Sequence, residues 1–547
     1  MAYSTISQEP DTETYRNMRY WGDETPSELC DRNAGLYPAE EAVADSTTRL
    51  TWEQVKIESD ALALGFLELG LKKDDIVLVQ LQNSVDLFLT LLAFEKAGII
   101  ALGCAPTFRR SEIEPIMRHA GVVGAVVPGR YGTFDYCQMV KDIKQEYPSL
   151  RQIFTSGEPV SGGTIPLKKV FRRNLDKGDS GPDFKATRIG PLEIFRLGTT
   201  SGSTGTPKIM ESALGPFLCT AKVWAQRVGF MHKDVVGALY SIAGGGVAMA
   251  ARGAAPLFGA KIALLEHFSP REACELVEKE KVTVLAGVPA AFAKILSYPE
   301  VDQYDLSTLR LVYNSTSILP YEIGLALEEK FGCKVVQTYG AMDCGSITCS
   351  SASDPRDVRL GTVGKPYDYG EIKLVNEQGE EQTPGEVGEV MVRGAHLDMR
   401  YFKNQEMTRK SWIDGWFKVG DLGRLDEYGN LKLAGRKDDL IIRGGRNIAP
   451  REVEDLLARH PKIAEVAVVR MPDSIMGEKA CACVVPKPGQ SLAFEEMVSF
   501  LKGRDLASFK LPERLEVMDK LPMVAAGQKV NRKELEQYVV QRLDAEK

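Results

Sequence analysis

The sequence predicts an α/β protein with a large N-terminal body of parallel sheets covered by helices, a small β subdomain, and a small α+β C-terminal domain. Two observations support this fold class. Short apolar runs alternate with amphipathic helical segments through most of the chain, which is typical of parallel sheets covered on both faces. Later segments are short strands punctuated by glycine and aspartate, followed by a compact helix–strand–helix region.

The composition is that of a globular protein of more than one domain. The chain has 547 residues, beyond the size at which a single hydrophobic core stops growing. Apolar residues make up 44 % and charged residues 26 %, and the net charge of −7 with no basic arm argues against a nucleic-acid partner. Ten cysteines without a C-x-x-C pair indicate a reducing compartment rather than a disulfide scaffold.

No targeting or membrane segment is expected. The polar, acid-containing start of the sequence does not resemble a signal peptide. The longest uncharged stretch, 235–251, is short for a membrane span and contains three consecutive glycines, so a buried strand, loop and helix are predicted there. These features together predict a cytoplasmic protein.

The elements of the N-terminal body follow in order. LTWEQVKIESDALALGFLELG predicts a strand entering an amphipathic helix that ends at Gly70, and IVLVQLQ predicts a strand before the helical stretch SVDLFLTLLAFEKAG. The alternation recurs at VVGAVVP, at KIALLEHF with REACELVEKEK, at VTVLAGV, and at LRLVYNS with EIGLALEEKFG. We therefore expect about 430 residues of α/β body.

The C-terminal domain is predicted to begin at Asp439, which divides the chain into 1–438 and 439–547. It contains the helix PREVEDLLARH with Pro450 in its first turn, the strand AEVAVVR, the helix FEEMVSFLKG and a tail rich in proline and glycine. Cys481 and Cys483 share one face of a predicted strand. Two small core residues are favoured there over a metal pair, because no further ligands stand nearby in sequence.

A glycine- and hydroxyl-rich segment, Leu197–Lys208 (LGTTSGSTGTPK), is predicted to bind phosphate. Glycines let backbone N–H groups approach phosphates without obstruction by a Cβ, and Lys208 adds a positive charge. The preceding apolar strand residues argue against a flexible linker, and the absence of G-x-x-x-x-G-K-[ST] argues against a P-loop NTPase or kinase. The phosphate-binding candidates are Thr199, Thr200, Ser201, Gly202, Ser203, Thr204 and Gly205.

This segment resembles the signature of the adenylate-forming (AMP-binding) enzymes, which include acyl- and aryl-CoA synthetases, stand-alone aryl-acid adenylating enzymes and luciferases. Four further motifs of the family follow in order: VQTYGAMD (336–343), KVGDLG (418–423), GRKDDLIIRGGRNI (435–448) and GQKVNRKEL (527–535). The resemblance therefore extends over nearly the whole chain. APTFRRSEIEPIMRHA and GTFDY resemble the aryl-acid branch, typified by 2,3-dihydroxybenzoate-AMP ligases.

The resemblance implies an ATP site. Tyr339 would stack on adenine, and Asp421 would accept hydrogen bonds from both ribose hydroxyls. Arg436 would contact the ribose or, alternatively, form a surface ion pair. The other residues assigned to the nucleotide through their motifs are Ser315, Thr316, Ser317, Gln337, Thr338 and Gly340.

Two assigned positions depart from the family pattern. Asp343 stands where a glutamate usually ligates Mg²⁺ together with a hydroxyl, here that of Thr200, and its shorter side chain would reach the ion through water. Lys529 would bridge the substrate carboxylate and the α-phosphate. In many relatives the lysine directly follows the glycine, whereas here Gln528 stands between Gly527 and Lys529. We interpret Gln528 as a one-residue insertion. Lys533 is the alternative candidate for this role.

The resemblance also implies a mobile C-terminal domain that rotates between two half-reactions, pivoting on Asp439. Rotation would remove Lys529 and bring Arg443, Gly444 and Gly445 to the site, where the glycines would let the pantetheine arm of CoA pass close to the backbone. A simple hairpin turn at the two glycines remains compatible with that role.

The acyl pocket is assigned by matching GALYSIAGGGVAMA to the aryl-acid branch. Ala243 and Gly244 stand where those enzymes carry His and Asn, with Ile242 and Gly287 as further pocket residues. Because this pair offers no side-chain donor, we expect an apolar wall and an acid without an ortho hydroxyl. A glycine-rich turn whose neighbours fill the space is the alternative.

The sequence thus predicts an ATP- and Mg²⁺-dependent ligase that converts an aromatic or alicyclic carboxylic acid to its acyl-AMP and transfers the acyl group to CoA. Two alternatives remain open: a stand-alone adenylating ligase that loads an acyl carrier protein, and a non-catalytic acyl-nucleotide sensor. Lys208, Asp421, Arg436 and Lys529 argue against the sensor.

Overall fold

The computed structural model describes residues 15, 17–18, 20–157, 162–170, 183–199, 208–397, 400–504, 506–524 and 529–546. The chain divides into two compact units, which we call unit 1 and unit 2. Unit 1 consists of Met1–Leu319, Leu325–Glu371 and Val392–Phe417, and unit 2 of Pro320–Gly324, Ile372–Met391 and Lys418–Lys547. The division predicted at Asp439 stays a prediction.

Side-chain caps mark the N-termini of several helices. The helix Trp52–Glu68 is one example: the Thr51 hydroxyl accepts a hydrogen bond from the Gln54 N–H, and the Gln54 side chain accepts one from the Thr51 N–H. The described helices are Pro26–Leu36, Trp52–Glu68, Val85–Ala97, Arg110–Ala120, Tyr136–Glu146, Leu167–Val170, Leu214–Val228, Gly245–Ala248, a π-helical stretch Met249–Ala254, Ala255–Phe258, Pro270–Glu280, Pro289–Leu296, Tyr321–Phe331, Arg356–Gly361, Gln405–Lys410, Pro450–Leu457, Phe494–Lys502 and Arg532–Ala545, with 3₁₀ turns at Val301–Gln303, Lys437–Asp439 and Ser508–Lys510.

The strands are mostly short. They are β1 Glu41–Ala44, β2 Arg49–Thr51, β3 Ile76–Val79, β4 Ile100–Gly103, β5 Gly124–Pro128, β6 Arg130–Tyr131, β7 Phe134–Asp135, β8 Gln152–Ser156, β9 Ile165–Pro166, β10 Ile194–Thr199, β11 Ile209–Ala213, β12 Val235–Ala238, β13 Lys261–Leu264, β14 Val284–Gly287, β15 Leu311–Asn314, β16 Lys334–Ala341, β17 Gly345–Cys349, β18 Lys365–Pro366, β19 Gly370–Val375, β20 Gly388–Gly394, β21 Trp412–Ile413, β22 Trp416–Leu425, β23 Leu431–Arg436, β24 Ile441–Arg443, β25 Arg446–Ile448, β26 Ile463–Asp473, β27 Gly477–Pro486, β28 Arg514–Val517, β29 Met523–Val524 and β30 Lys529–Val530.

Unit 1 is built on two mainly parallel sheets. The first has nine strands in the order β18-β17-β16-β15-β14-β12-β13-β1-β2, and the six strands from β16 to β1 run parallel to one another. The second has seven strands in the order β11-β10-β4-β3-β5-β8-β9, with only β11 antiparallel to its neighbour. Strands β3, β5, β14 and β15 are buried along their whole length, as expected for apolar strands covered on both faces. The predicted fold class is confirmed.

The predicted strand, loop and helix within residues 235–251 are also confirmed. Strand β12 leads through a loop into a short helix at Gly245, and the chain continues as a π-helical stretch. None of the helices in the described part of the chain is long and apolar enough to cross a membrane.

In unit 2, strands β24 to β28 form one sheet in the order β25-β24-β27-β26, with β28 paired to β27. Cys481 and Cys483 lie on one face of β27 in a buried apolar cluster with Val469, as predicted for core residues. All ten cysteines lie in the described part of the chain, where they are buried and form no disulfide. The prediction of a proline- and glycine-rich tail is wrong beyond residue 530. There the Asn531 side chain caps the helix Arg532–Ala545, which buries Leu535 and Val539.

Candidate functional site

The carboxyl ends of four parallel strands carry most of the predicted site segments of unit 1. Strands β12, β14, β15 and β16 are aligned, with Ala238 paired to Ala286, and Asn314 paired to both Gly287 and Gln337. The residues at and beyond the ends of these strands therefore lie at one edge of the sheet: 239–244, 287–288, 315–317 and 339–343. Ligands of open α/β sheets bind outside the carboxyl ends of the strands, so this edge is the candidate site.

Two of these segments contact one another directly. The Ser315 N–H donates to the Gly287 carbonyl over 3.1 Å, and the Asn314 side-chain amide donates to the Ser317 carbonyl over 2.9 Å. Thr316 has a φ of +80°, a backbone conformation that residues other than glycine rarely adopt. Such conformations persist only where the surroundings enforce them, and they cluster at ligand sites. The turn assigned to the adenine edge is thus held from two sides.

The predicted phosphate-binding segment is described only at its two ends. Thr200, Ser201, Gly202, Ser203, Thr204 and Gly205 lie outside the described residues. Thr199 ends β10 and pairs with Ile209 of the antiparallel strand β11, so the two strands hold the ends of the segment side by side. Lys208 precedes β11 directly, which places its positive charge at the base of the segment.

Lys208 and Asp343 are connected through Tyr401, a residue that the sequence reasoning missed. The Tyr401 hydroxyl donates a hydrogen bond to Asp343 Oδ2 over 2.9 Å, and Lys208 Nζ lies 5.4 Å from the centre of the Tyr401 ring. Tyr401 is held against β11 by a bridge to Met210 and is buried. Burial, followed by the neighbouring Asp343 carboxylate, raises the pKa of Tyr401 above its ordinary value, so the hydroxyl remains a donor.

Two side chains of β16 that were assigned to the nucleotide, Gln337 and Thr338, form hydrogen bonds within the protein. The Gln337 amide bonds inside the protein, to the Leu319 N–H over 2.9 Å and to the Arg359 carbonyl over 3.2 Å. The Thr338 hydroxyl donates to the Thr348 carbonyl over 2.7 Å. Both predicted nucleotide-binding side chains are therefore engaged in hydrogen bonds within the protein. Tyr339 is buried at the end of the strand.

The acyl-pocket candidates lie beside an arginine that the sequence reasoning did not consider. Arg196 Nη1 donates to the Ala243 carbonyl over 3.2 Å, and a Cβ on Gly244 would lie 3.2 Å from the same nitrogen. The expectation of a donor-free wall at Gly244 is therefore wrong, because a guanidinium occupies the side that glycine leaves open. A Cβ on Gly287 would lie 3.0 Å from the Phe292 ring, so this glycine is also closely packed. Ile242 is fully buried.

Asp421 and Arg436 of unit 2 face each other on paired strands. They are register partners on β22 and β23, and Arg436 Nε donates to Asp421 Oδ1 over 3.2 Å. Asp421 is 8 % exposed, whereas the Arg436 side chain is 52 % exposed. The ion pair that the sequence left open for Arg436 is present, and it fixes the carboxylate that was assigned to the ribose.

The predicted pivot is attached to the last helix of unit 2. Asp439 ends the 3₁₀ turn Lys437–Asp439, and its Oδ2 lies 3.4 Å from Arg532 Nε. Arg532 also forms two hydrogen bonds to the buried Glu454 carboxylate, of 2.7 and 2.9 Å. Arg532 begins the helix that follows β30, the strand in which Lys529 stands. The backbone that carries Lys529 is therefore tied to the predicted pivot within one unit.

The glycine loop assigned to CoA is a tight hairpin. Arg443 and Arg446 are paired on β24 and β25, and Gly444 and Gly445 between them have φ values of +53° and +79°. Two consecutive residues with positive φ are typical of a two-residue hairpin turn. The hairpin alternative is thus present, and the Arg443 guanidinium is fixed by two hydrogen bonds to Glu513, of 3.0 and 2.9 Å.

Comparison with known protein families agrees with these motifs. The family model described as AMP-binding enzyme matches residues 30–402, and the model of the AMP-binding enzyme C-terminal domain matches residues 452–528. The chain belongs to the AMP-binding enzyme family. Within it, the chain is 28 % identical to a 2,3-dihydroxybenzoate-AMP ligase of Bacillus subtilis (strain 168) over 534 residues, which cover 97 % of this chain and 96 % of that protein.

Other family members of similar length include CoA ligases. The chain is 30 % identical to a salicylyl-CoA synthase / salicylate adenylyltransferase of a Streptomyces species over 543 residues, covering 97 % of this chain and 96 % of that protein. The crystal structure of the anthranilate CoA ligase AuaEII in complex with anthranoyl-AMP has the same fold, with a TM-score of 0.83 and 23 % identity over 95 % of this chain and 98 % of that one.

Proposed function

We propose that this AMP-binding enzyme is an AMP-forming carboxylate:CoA ligase, which activates an aromatic or alicyclic acid with ATP and transfers the acyl group to CoA. The observation that supports this most is the edge of the nine-stranded sheet, where segments assigned to acid and adenine converge. Lys208 and Asp343 of the same unit are joined there through Tyr401.

The first half-reaction forms a bond between a carboxylate oxygen of the acid and the α-phosphorus of ATP, while pyrophosphate leaves. The protein positions the reactants and stabilises the charge that develops. Tyr339 holds adenine, the turn at Ser315–Ser317 lines its edge, and Asp421 and Arg436 hold the ribose. Lys208 binds phosphate, and Lys529 stabilises the negative charge shared by carboxylate and α-phosphate.

The residues present fit a magnesium ion. Asp343 offers a hard carboxylate oxygen, and the Tyr401 hydroxyl orients it as outer-sphere hydrogen bonds orient metal ligands. Among the described residues no cluster of three or more acidic, His or Cys side chains could hold a metal. This agrees with Mg²⁺, which is commonly held by one or two carboxylates together with substrate phosphates and water. The ion, when bound, neutralises charge on the phosphates.

In the second half-reaction the CoA thiolate attacks the acyl carbon and AMP leaves. We assign the turn at Arg443, Gly444 and Gly445 to the pantetheine arm. Its exposed backbone, with no side chain at either glycine, allows close approach. The Glu513 carboxylate holds the neighbouring arginine in place. Asp439 is the proposed pivot between the two half-reactions.

The acid class rests on relatives whose names specify aromatic acids, dihydroxybenzoate and salicylate. The test is a panel of acids in which AMP release is measured with and without CoA. We expect acid-dependent AMP release that becomes catalytic on adding CoA, with acyl-CoA as product. Adenylation without turnover by CoA would favour the carrier-protein alternative, and no acid-dependent release with any ring acid would contradict the proposal.

A further inference from the structure

One buried side chain ties residues 239–244, which we call the acid loop, to the neighbouring sheet. Asn83 Nδ2 donates a hydrogen bond to the Ala238 carbonyl over 2.9 Å, and Asn83 Oδ1 accepts one from the Ile242 N–H over 3.2 Å. Asn83 is 4 % exposed. The acid loop follows β12 of the nine-stranded sheet, whereas Asn83 follows β3 of the seven-stranded sheet. Its amide therefore links the acid loop to the carboxyl end of the second sheet.

The backbone that carries Asn83 is itself held in place. The next residue, Ser84, caps the helix Val85–Ala97, where its hydroxyl accepts a hydrogen bond from the Leu87 N–H over 3.3 Å. The N–H of the first helical residue donates to Asp45 Oδ2 over 2.9 Å. These bonds fix the start of the helix, so Asn83 is presented to the acid loop from a rigid element.

The sequence of the acid loop does not fix its own conformation. Ala243 is followed by three glycines, and glycine has more conformational freedom than any other residue. Contacts from outside therefore hold the segment. Beyond the loop, a Cβ on Gly246 would lie 2.5 Å from Ser315 Cβ, so the chain there packs directly against the turn assigned to adenine. Asn83 supplies the support before the glycines.

We infer that Asn83 is a positioning residue for the carboxylic acid, whose amide holds the acid loop in the conformation that receives the acid beside the nucleotide; this rests on the proposed function. Burying an amide is unfavourable unless it is hydrogen-bonded, and an apolar side chain would fill the space without that cost. Both bonds of Asn83 go to backbone groups, one at the end of β12 and one inside the acid loop, so together they fix the path of the loop.

Asn83→Ala removes both hydrogen bonds. The Ala238 carbonyl keeps a second partner, the Leu265 N–H at 3.1 Å, so the loss falls on the N–H of Ile242, which is fully buried. An acid loop that holds the binding conformation for only a fraction of the time lowers the apparent affinity for the acid by that fraction.

Asn33→Ala is the matched control. Asn33 lies in the helix Pro26–Leu36, is also buried, and donates from its amide to the Pro256 carbonyl over 2.8 Å. Asn83→Asp is a second test variant, which keeps the size of the side chain and replaces the donor to Ala238 by an oxygen. It tests the same claim if Asn83→Ala does not fold.

We expect Asn83→Ala to raise KM for the acid about tenfold, the effect of one lost buried hydrogen bond, with KM for ATP unchanged. The measurement is AMP release with the most active of benzoate, 2-aminobenzoate, 2-hydroxybenzoate and cyclohexanecarboxylate, with the second substrate saturating. Asn83→Asp should show the same split, and Asn33→Ala should change neither KM, even where chemical denaturation shows an equal loss of stability. An unchanged KM for the acid in the folded Asn83 variants, a parallel rise in KM for ATP, or the same rise in Asn33→Ala would overturn the inference.

A failure of the proposed function would be distinguishable, because amide hydrogen exchange needs no substrate. If no acid supported AMP release, faster exchange of the acid loop in Asn83→Ala, with residues 315–317 unchanged and no such effect in Asn33→Ala, would still support the role of Asn83 in holding the loop. Equal exchange of the acid loop in the unmodified protein and the folded Asn83 variants would reject it.

Discussion

Tyr401→Phe removes one hydroxyl and tests whether Asp343 serves a metal ion. The hydroxyl donates to Asp343 Oδ2 over 2.9 Å, and no other atom of the side chain is lost. A hydrogen bond to a charged group contributes about 1.5–3 kcal/mol. Asp343 is half-buried, so water replaces part of the lost contact and we take the lower end of that range. About 1.4 kcal/mol corresponds to a tenfold change in affinity.

We therefore expect Tyr401→Phe to raise the Mg²⁺ concentration at half-maximal adenylation about tenfold, with a maximal rate close to that of the unmodified enzyme. The assay is acid-dependent pyrophosphate exchange at saturating ATP over a Mg²⁺ series. Tyr367→Phe is the matched control, because Tyr367 is also a buried tyrosine of unit 1 but its hydroxyl lies 3.2 Å from the Thr338 hydroxyl. It should leave the Mg²⁺ dependence unchanged.

Asp343→Asn completes a double-mutant cycle. If Tyr401 acts through Asp343, the double variant should need no more Mg²⁺ than Asp343→Asn alone. An unchanged Mg²⁺ dependence in Tyr401→Phe, or the same shift in Tyr367→Phe, would refute the assignment of Asp343 as the metal ligand oriented by Tyr401.

Three further predictions concern the other parts of the molecule. Lys529→Ala should abolish adenylation and leave thioester formation from supplied acyl-AMP nearly intact; loss of both half-reactions with the fold retained would argue against its role. Asp439→Pro should preserve adenylation and abolish thioester formation because proline fixes φ, whereas Asp439→Ala, which also loses the Arg532 contact, should keep both; equal rates for the two variants would exclude a pivot. Burial lowers the pKa of His396 from 6.5 to about 3. Between these two pH values the histidine is therefore protonated in the unfolded state and neutral in the native state, so the native state loses stability as the pH falls. The loss is about 1.4 kcal/mol per pH unit. In His396→Gln the free energy of unfolding, measured by chemical denaturation between pH 6.5 and 3, should fall less steeply with decreasing pH by that amount.

The sequence was most informative where a function depends on a contiguous motif. The alternation of apolar strands and helices predicted the parallel sheets, and the order of the motifs predicted the family. Thr199 and Ile209, which lie at the two ends of the predicted phosphate-binding stretch, are paired on antiparallel strands. These features are local, or follow from the rule that parallel strands end at one edge.

Contacts between distant positions were not predictable in this way. Tyr401 is 58 positions from Asp343, and Arg196 is 47 positions from Ala243. Neither residue stands in a recognisable motif, so only the fold shows that it reaches the site. The absence of a side-chain donor at Ala243 and Gly244 predicted an apolar wall. A sequence shows what a position lacks, and not which neighbouring residue fills the space.

Isotope transfer from acid to AMP tests the central claim most directly. An acid labelled with ¹⁸O in both carboxylate oxygens is turned over with ATP and CoA, and the AMP is analysed by mass spectrometry. Attack of the carboxylate on the α-phosphorus, followed by attack of the thiolate on the acyl carbon, leaves one labelled oxygen in each AMP. The account predicts that single label, with the other oxygen retained in acyl-CoA. Unlabelled AMP, or label appearing in inorganic phosphate or pyrophosphate, would contradict an acyl-adenylate intermediate.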